Sequence, residues 1–138
     1  MIILDTNVLS ELLRSAPDAR VLAWMAAQPR AALFTTTITR GELLYGVRLL
    51  PEGRRKTALL EAVHAIFSTD MAERVLGFDH VAADLYAEIA ASRKVAGKPI
   101  SQFDAMIAAI TQSRGARLAT RNVRDFVGCD IEIINPWQ

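Results

Sequence analysis

Met1-Ile2-Ile3-Leu4-Asp5-Thr6-Asn7-Val8-Leu9-Ser10 opens the chain and decides how the rest is read. Ile2, Ile3 and Leu4 form a short continuous apolar run, the pattern of a strand buried on both faces of a parallel sheet. The run stops abruptly at Asp5-Thr6-Asn7. Thr6 and Asn7 are both N-cap candidates for a helix opening at Val8. The stretch therefore predicts strand, acid, helix, with Asp5 at the carboxyl end of a central strand. In open α/β sheets ligands bind along that edge. A carboxylate there is costly to desolvate unless a cation meets it. Taken by itself, the stretch is explained more simply by a turn Asp that bonds its own backbone.

Downstream, strand-like and helical stretches alternate. Ser15 is read as the cap of a second helix with Pro17 in its first turn, an apolar face of Val21, Leu22, Trp24 and Met25, and a stop at Gln28-Pro29. Ala32 to Thr37 is a second strand by β-branched and aromatic content. Thr39 is read as the cap of the helix that carries Glu42, Leu43, Leu44 and Val47. Arg54 to about Ser68 is a further helix, and Arg74 to Phe78 a weak third strand. Asp79 caps a helix from His80 to Val95 with a buried stripe of Val81, Leu85 and Ile89. Ser101 caps another, with Phe103, Met106, Ile107 and Ile110 inward and Gly115 at its end. Arg117 to Thr120 and Ile131 to Ile134 are the fourth and fifth strands. This alternation predicts a parallel, three-layer α/β sheet.

Composition narrows the class. The 138 residues suffice for one domain, 1–138, and 51% apolar against 22% charged residues is the balance of a globular chain. The single Cys129 excludes an internal disulfide, and no Cys/His cluster has zinc spacing, which points to a reducing, cytoplasmic setting. The amino terminus runs straight into a strand without a charged n-region and cleavage site, so no signal peptide is expected. No apolar stretch approaches bilayer-spanning length. A net charge of +1, from 16 Lys and Arg against 15 Asp and Glu, permits nucleic-acid binding only if the charges are segregated.

Most of the acids read as solvated surface or caps: Glu11, Asp18, Glu52, Glu61, Glu73, Asp84 and Glu88. Three do not. Asp5 ends the first strand, Glu42 sits in the first turns of the helix after the second strand, and Asp104 interrupts an otherwise apolar run, Phe103-Asp104-Ala105-Met106-Ile107-Ala108-Ala109-Ile110. On a helix Asp104 shares a face with Ile107, Ala108 and Thr111. As single residues, Glu42 reads as an ordinary exposed helix Glu and Asp104 equally well as a partner of the helix dipole. After the fourth strand comes Thr120-Arg121-Asn122-Val123-Arg124-Asp125-Phe126, a turn with charged flanks. If that strand lies beside the first, Asn122 or Asp125 projects at the same edge as Asp5. Clustered carboxylates raise one another's pKa unless a cation neutralises them. Oxygen ligands without His or Cys suit a hard ion, Mg²⁺ or Mn²⁺, and such an ion with arginines nearby suits phosphodiester hydrolysis.

Taken together, the motifs resemble the PIN-domain endoribonucleases, in particular the toxins of VapBC-type toxin–antitoxin pairs, and among these the FitB-like group. The matching residues are Ile3-Leu4-Asp5-Thr6-Asn7, Thr39-Arg40-Gly41-Glu42-Leu43-Leu44-Tyr45-Gly46, Phe78-Asp79, Phe103 to Ala108, Leu118 to Phe126 and Ile134-Asn135-Pro136-Trp137. The similarity spans the chain. It implies an α/β/α fold with five parallel strands in the order 3-2-1-4-5. It also implies that Asp5, Glu42 and Asp104 bind the metal, that Thr6 helps fix the site and that Asn7 orients Asp5. The family's fourth acid falls at Asn122, which offers a carbonyl oxygen but no charge, so Asp125 or a water held at that position is left to complete the set.

The implied reaction is cleavage of single-stranded RNA by metal-activated water, leaving a 5′-phosphate and a 3′-hydroxyl. Arg40, Arg48, Arg93, Lys94, Lys98, Arg121 and Arg124 are candidates for an RNA-binding rim. The resemblance further implies a homodimer and a cognate small antitoxin of VapB or FitA type, with operator DNA bound only through the antitoxin and no membrane partner. Two rivals are a catalytically inactive RNA-binding module of the same fold, favoured by Asn122, and a Mg²⁺-dependent phosphotransfer domain. Against the latter stand the absence of a second Asp two residues after Asp5 and of a suitably placed late Lys. His64 and His80 read as surface residues.

Overall fold

In the computed structural model, which describes residues 1–138, Ile2–Leu4 (β1) is the central strand of a five-stranded parallel sheet. Leu33–Thr36 (β2) and Val75–Leu76 (β3) lie to one side, and Arg117–Ala119 (β4) and Glu132–Ile134 (β5) to the other. The resulting order, β3-β2-β1-β4-β5, is the one the resemblance implied. Side chains alternate across a strand. Ile2 and Leu4 enter the apolar cluster on one face of the sheet, and Ile3 enters the cluster on the other.

The first cluster is covered by Thr6–Leu12 (α1), Ala19–Ala27 (α2), Thr37–Arg48 (α3) and Arg54–Ala65 (α4), through Val8, Leu9, Val21, Leu43, Val47 and Val63. The second is covered by His80–Val95 (α5), Gln102–Ser113 (α6) and the short Val123–Phe126 (α7). Helices on both faces of a parallel sheet explain why β1 is apolar throughout. In α6, Ala105, Ala108 and Ala109 are fully buried beside Ile107 and Ile110. The small side chains let α5 and α6 approach closely, and each buried Ile contributes about 2 kcal/mol.

Several local expectations are corrected. Asp5 itself, with neither Thr6 nor Asn7 as cap, closes the amino end of α1 by accepting the Thr6 N–H at 2.8 Å. It is therefore both the turn acid and the strand-end acid. Asp18, not Ser15, caps α2, and Thr36, not Thr39, caps α3. In each case the chain turns at the residue whose extended backbone aims an oxygen at a free N–H. Residues 120–126 are not merely a turn, because Val123–Phe126 winds into α7 and buries Phe126. Val81 is 45% exposed and the α5 stripe runs through Ala82 and Ile89 instead, one position round the helix. Phe103, in the first turn of α6, is 52% exposed and not inward as its spacing suggests. Asp79 and Ser101 cap α5 and α6 as read. No helix is long and apolar enough to cross a membrane.

Candidate metal and nucleic-acid site

The register β1 to β4 pairs Leu4 with Ala119, so Asp5 and Thr120 are the next residues along two adjacent strands. The Asp5 N–H donates to the Ala119 carbonyl at 3.0 Å and extends the ladder by one bond. Thr120, fully buried, donates its hydroxyl to Asp5 Oδ2 at 2.7 Å. Asn7 Nδ2 reaches the same Asp5 oxygen at 3.3 Å and Thr120 Oγ1 at 3.1 Å, while Asn7 Oδ1 accepts the Arg121 N–H. The Asn122 N–H also donates to Thr120 Oγ1. One threonine hydroxyl thus ties together the ends of β1 and β4 and the start of α7.

On the other side, Thr6 Oγ1 donates to Glu42 Oε1 at 2.8 Å and sits 3.1 Å from Thr39 Oγ1. With the Thr6 proton on the carboxylate, Thr39 is the donor in that second bond. Asp104 is half-buried in the first turn of α6, its N–H bonded to the Ser101 hydroxyl. Glu42 is likewise half-buried, whereas Asn122 and Asp125 are exposed.

The charges explain one another. Burial pushes the Asp5 carboxyl up from 3.8 to about 6, hydrogen bonds from Thr120 and Thr6 offset part of that, and the negative charges of Asp104 and Glu42 add to it. Asp104 is raised as well, by burial first and by the Asp125 carboxylate in addition. The ion pairs of the molecule are Arg14–Glu11, Arg20–Asp18 and Lys56–Glu52. Asp5, Glu42 and Asp104 take part in none of them. Asp125 supplies the negative charge that acts on Asp104, whereas Asn122 carries none. No group of three His, Cys, Asp or Glu side chains is arranged closely enough to hold a metal ion by itself. The donor set is nonetheless all oxygen and uncompensated, which suits a hard cation that keeps several of its waters.

The basic residues divide. Arg93, a rim candidate by sequence, donates its guanidinium to the carbonyls of Lys98, Asp125 and Val127, so it straps α5 to α7 and the residue that follows it. Arg121 lies over the Trp137 ring at 5.2 Å, and Arg40 over Phe67 at 5.5 Å. A 430 Å³ cavity is lined by Arg121, Asn122, Arg124 and Asp125 among others, and a 470 Å³ cavity by Arg93, Lys98 and Arg124. Thr120 and Thr39 are site residues that local sequence patterns do not single out. Thr120 is found from sequence once β4 is set beside β1, because it then stands opposite Asp5.

Fold and site together define an α/β/α protein with three uncompensated acids, Asp5, Glu42 and Asp104, at the carboxyl edge of a parallel sheet. The PIN domain family matches residues 2–127. The chain belongs to the PIN-domain family, and within it to the group of VapC and FitB toxins. It is 41% identical over 138 residues to a VapC ribonuclease of Sinorhizobium fredii, covering 100% of this chain and 99% of the relative. To toxin FitB of Neisseria gonorrhoeae it is 39% identical over 137 residues, covering 99% of each. Among solved structures, FitAB bound to a DNA fragment superposes with a TM-score of 0.93 at 38% identity, covering 100% of this chain and 96% of that one.

Proposed function

We propose that this chain is the toxin of a VapBC-type toxin–antitoxin pair and hydrolyses RNA phosphodiester bonds with the help of Mg²⁺ or Mn²⁺. The observation that carries the reading is that the buried Asp5 carboxylate feels the negative charges of Glu42 and Asp104 at one sheet edge, and none of the three has a basic partner. The relatives' names, a ribonuclease and a toxin, point the same way.

Asp5, Glu42 and Asp104 would hold the ion, with water filling the rest of its shell. When bound, such an ion activates water and stabilises charge developing on the phosphoryl oxygens. The chain's own residues prepare for this. Thr120 and Asn7 hold one Asp5 oxygen, and the Thr6 N–H holds the other. The Thr6 hydroxyl, backed by Thr39, holds the Glu42 carboxylate. Asp125 adds negative charge beside Asp104, and Asn122 offers an amide oxygen to water at the rim. Pre-oriented ligands lose little freedom when the ion arrives. The partner is a cognate small antitoxin, as the FitAB complex suggests, with operator DNA bound through it. An antitoxin Arg entering the acidic site would satisfy the unpaired carboxylates.

The decisive experiment is cleavage of total RNA by the antitoxin-free protein with Mg²⁺ or Mn²⁺, beside Asp5→Asn. Metal-dependent cutting that the variant loses is the expected result. RNA binding by a folded wild type that never cuts would turn the reading to the inactive module, for which Asn122 is the one specific observation. Neither cutting nor binding would return it to phosphotransfer.

A further inference from the structure

The acidic site has two unlike flanks. Arg121, Arg124, Arg93 and Lys98 line the cavities on the α7 side. On the α3 side lies a 640 Å³ cavity lined by Thr37, Ile38, Gly41, Glu42, Tyr45 and Phe103. Five of these six fall on α3 at positions a helix brings to one stripe, since residues three and four apart are neighbours. The sixth comes from α6. Each aromatic ring is placed by a proposed metal-binding acid: Tyr45 lies one turn after Glu42, and Phe103 directly precedes Asp104.

Neither ring does packing work in the fold. Tyr45 is 68% and Phe103 52% exposed, and neither belongs to the two core clusters. The aromatic rings in mutual contact are Phe78 and Tyr86, 5.9 Å apart. Between Tyr45 and Phe103 the wall is Gly41, where an added Cβ would meet nothing within 4 Å. Exposed rings are entropically cheap, rigid surfaces on which any base can stack, and single-stranded RNA is read largely through unstacked bases laid on such rings. Glu42 belongs to both this cavity and the acidic site, so a nucleotide whose phosphate reaches the acids has its own base, or its neighbour's, within reach of the cavity.

We propose that the cavity between Tyr45 and Phe103, bounded by Gly41 and Glu42, takes one unstacked nucleobase of the RNA adjoining the scissile phosphate. The inference rests on the nuclease reading and deepens it: RNA lies across the site in one direction, a base on the aromatic flank and phosphates on the basic flank.

The test uses the full chain. A mapped RNA oligonucleotide is resynthesised with a single abasic site moved stepwise through the positions around the cut. At one position, loss of the base is expected to raise KM about tenfold for the wild type, the effect of one lost stacking contact. Tyr45→Ala/Phe103→Ala is expected to raise KM similarly on the intact RNA and to show no further abasic penalty, while Tyr45→Phe behaves as wild type. Gly41→Leu, which fills the cavity from a helix position with open space around it, is expected to act like the double variant. An abasic penalty equal in wild type and double variant would overturn the proposal. So would variants that bind RNA normally but lose self-association or antitoxin binding, since the face would then be a protein interface. Direct binding of the same oligonucleotides to Asp5→Asn separates this failure from failure of the nuclease reading. Base-dependent binding that needs Tyr45 and Phe103 would support the cavity even if the wild type never cuts, and no binding at all would sink both.

Discussion

Helix α1 carries two buried carboxylates, Asp5 at its start and Glu11 near its end, 3% and 6% exposed. Glu11 has the sequence setting of a solvated acid, yet it is buried. Its Oε2 accepts the Asp18 N–H at 2.9 Å and pairs with Arg14 at 3.2 Å, so it joins the end of α1 to the start of α2. Asp5 has only neutral donors, the Thr6 N–H, the Thr120 hydroxyl and the Asn7 amide, and faces two further acids. One buried charge is completed within the chain. The other is oriented but not neutralised. The difference teaches that burial of an acid says little about its role until its partners are counted: Glu11 closes a loop, and Asp5 presents charge to something outside the chain.

The comparison breaks most visibly in activity. Asp5→Asn and Asp104→Asn should each lower the RNA cleavage rate about 1000-fold, the scale of losing one preorganised charge-stabilising group. Glu11→Gln should leave the rate within about twofold when measured below the unfolding temperature. Equal losses in all three would erase the distinction.

Stability sharpens it next, with the two acids moving in opposite directions. The folded Asp5 carboxyl titrates at about 6, above the usual 3.8. Between these values the native state holds a proton that the unfolded chain has released, so stability falls as pH rises through this window and stays lower above it. The full drop is about 3 kcal/mol. Urea unfolding of the chelator-treated protein across this range should show it, and Asp5→Asn should flatten it and be the more stable protein at neutral pH. Millimolar Mg²⁺ should restore the wild type and leave Asp5→Asn unmoved, a thermal-shift readout independent of cleavage.

Glu11→Ala should instead cost about 1–3 kcal/mol, because the Asp18 N–H loses its acceptor, with no response to Mg²⁺ in the same thermal-shift series. The smallest expected effect is that of Thr120→Val, about 1 kcal/mol of stability. Its signature is the Asp5 titration, which should move further upward because the hydroxyl that favours the charged form is gone. NMR of the Asp5 carboxyl carbon would follow it, and an unmoved midpoint would remove Thr120 from the site.

By itself the sequence determined the strand-acid-helix opening, the five strands, the caps Asp79 and Ser101, and the three acids Asp5, Glu42 and Asp104 as a set, though not any one of them alone. These are written in local patterns: apolar runs, capping residues and a carboxylate inside an apolar helix face. Tertiary structure decided which polar groups meet. Thr120 is 115 residues from the Asp5 it bonds, Thr6 is 36 from Glu42, and neither pair has a spacing that local periodicity could reveal. It also decided exposure at the sheet edge, where Phe103 follows the apolar pattern of α6 yet lies open, and Glu11 follows a polar pattern yet is buried. Periodicity tells which face a residue is on. Only the packed neighbours tell whether that face, at that turn of the helix, is covered.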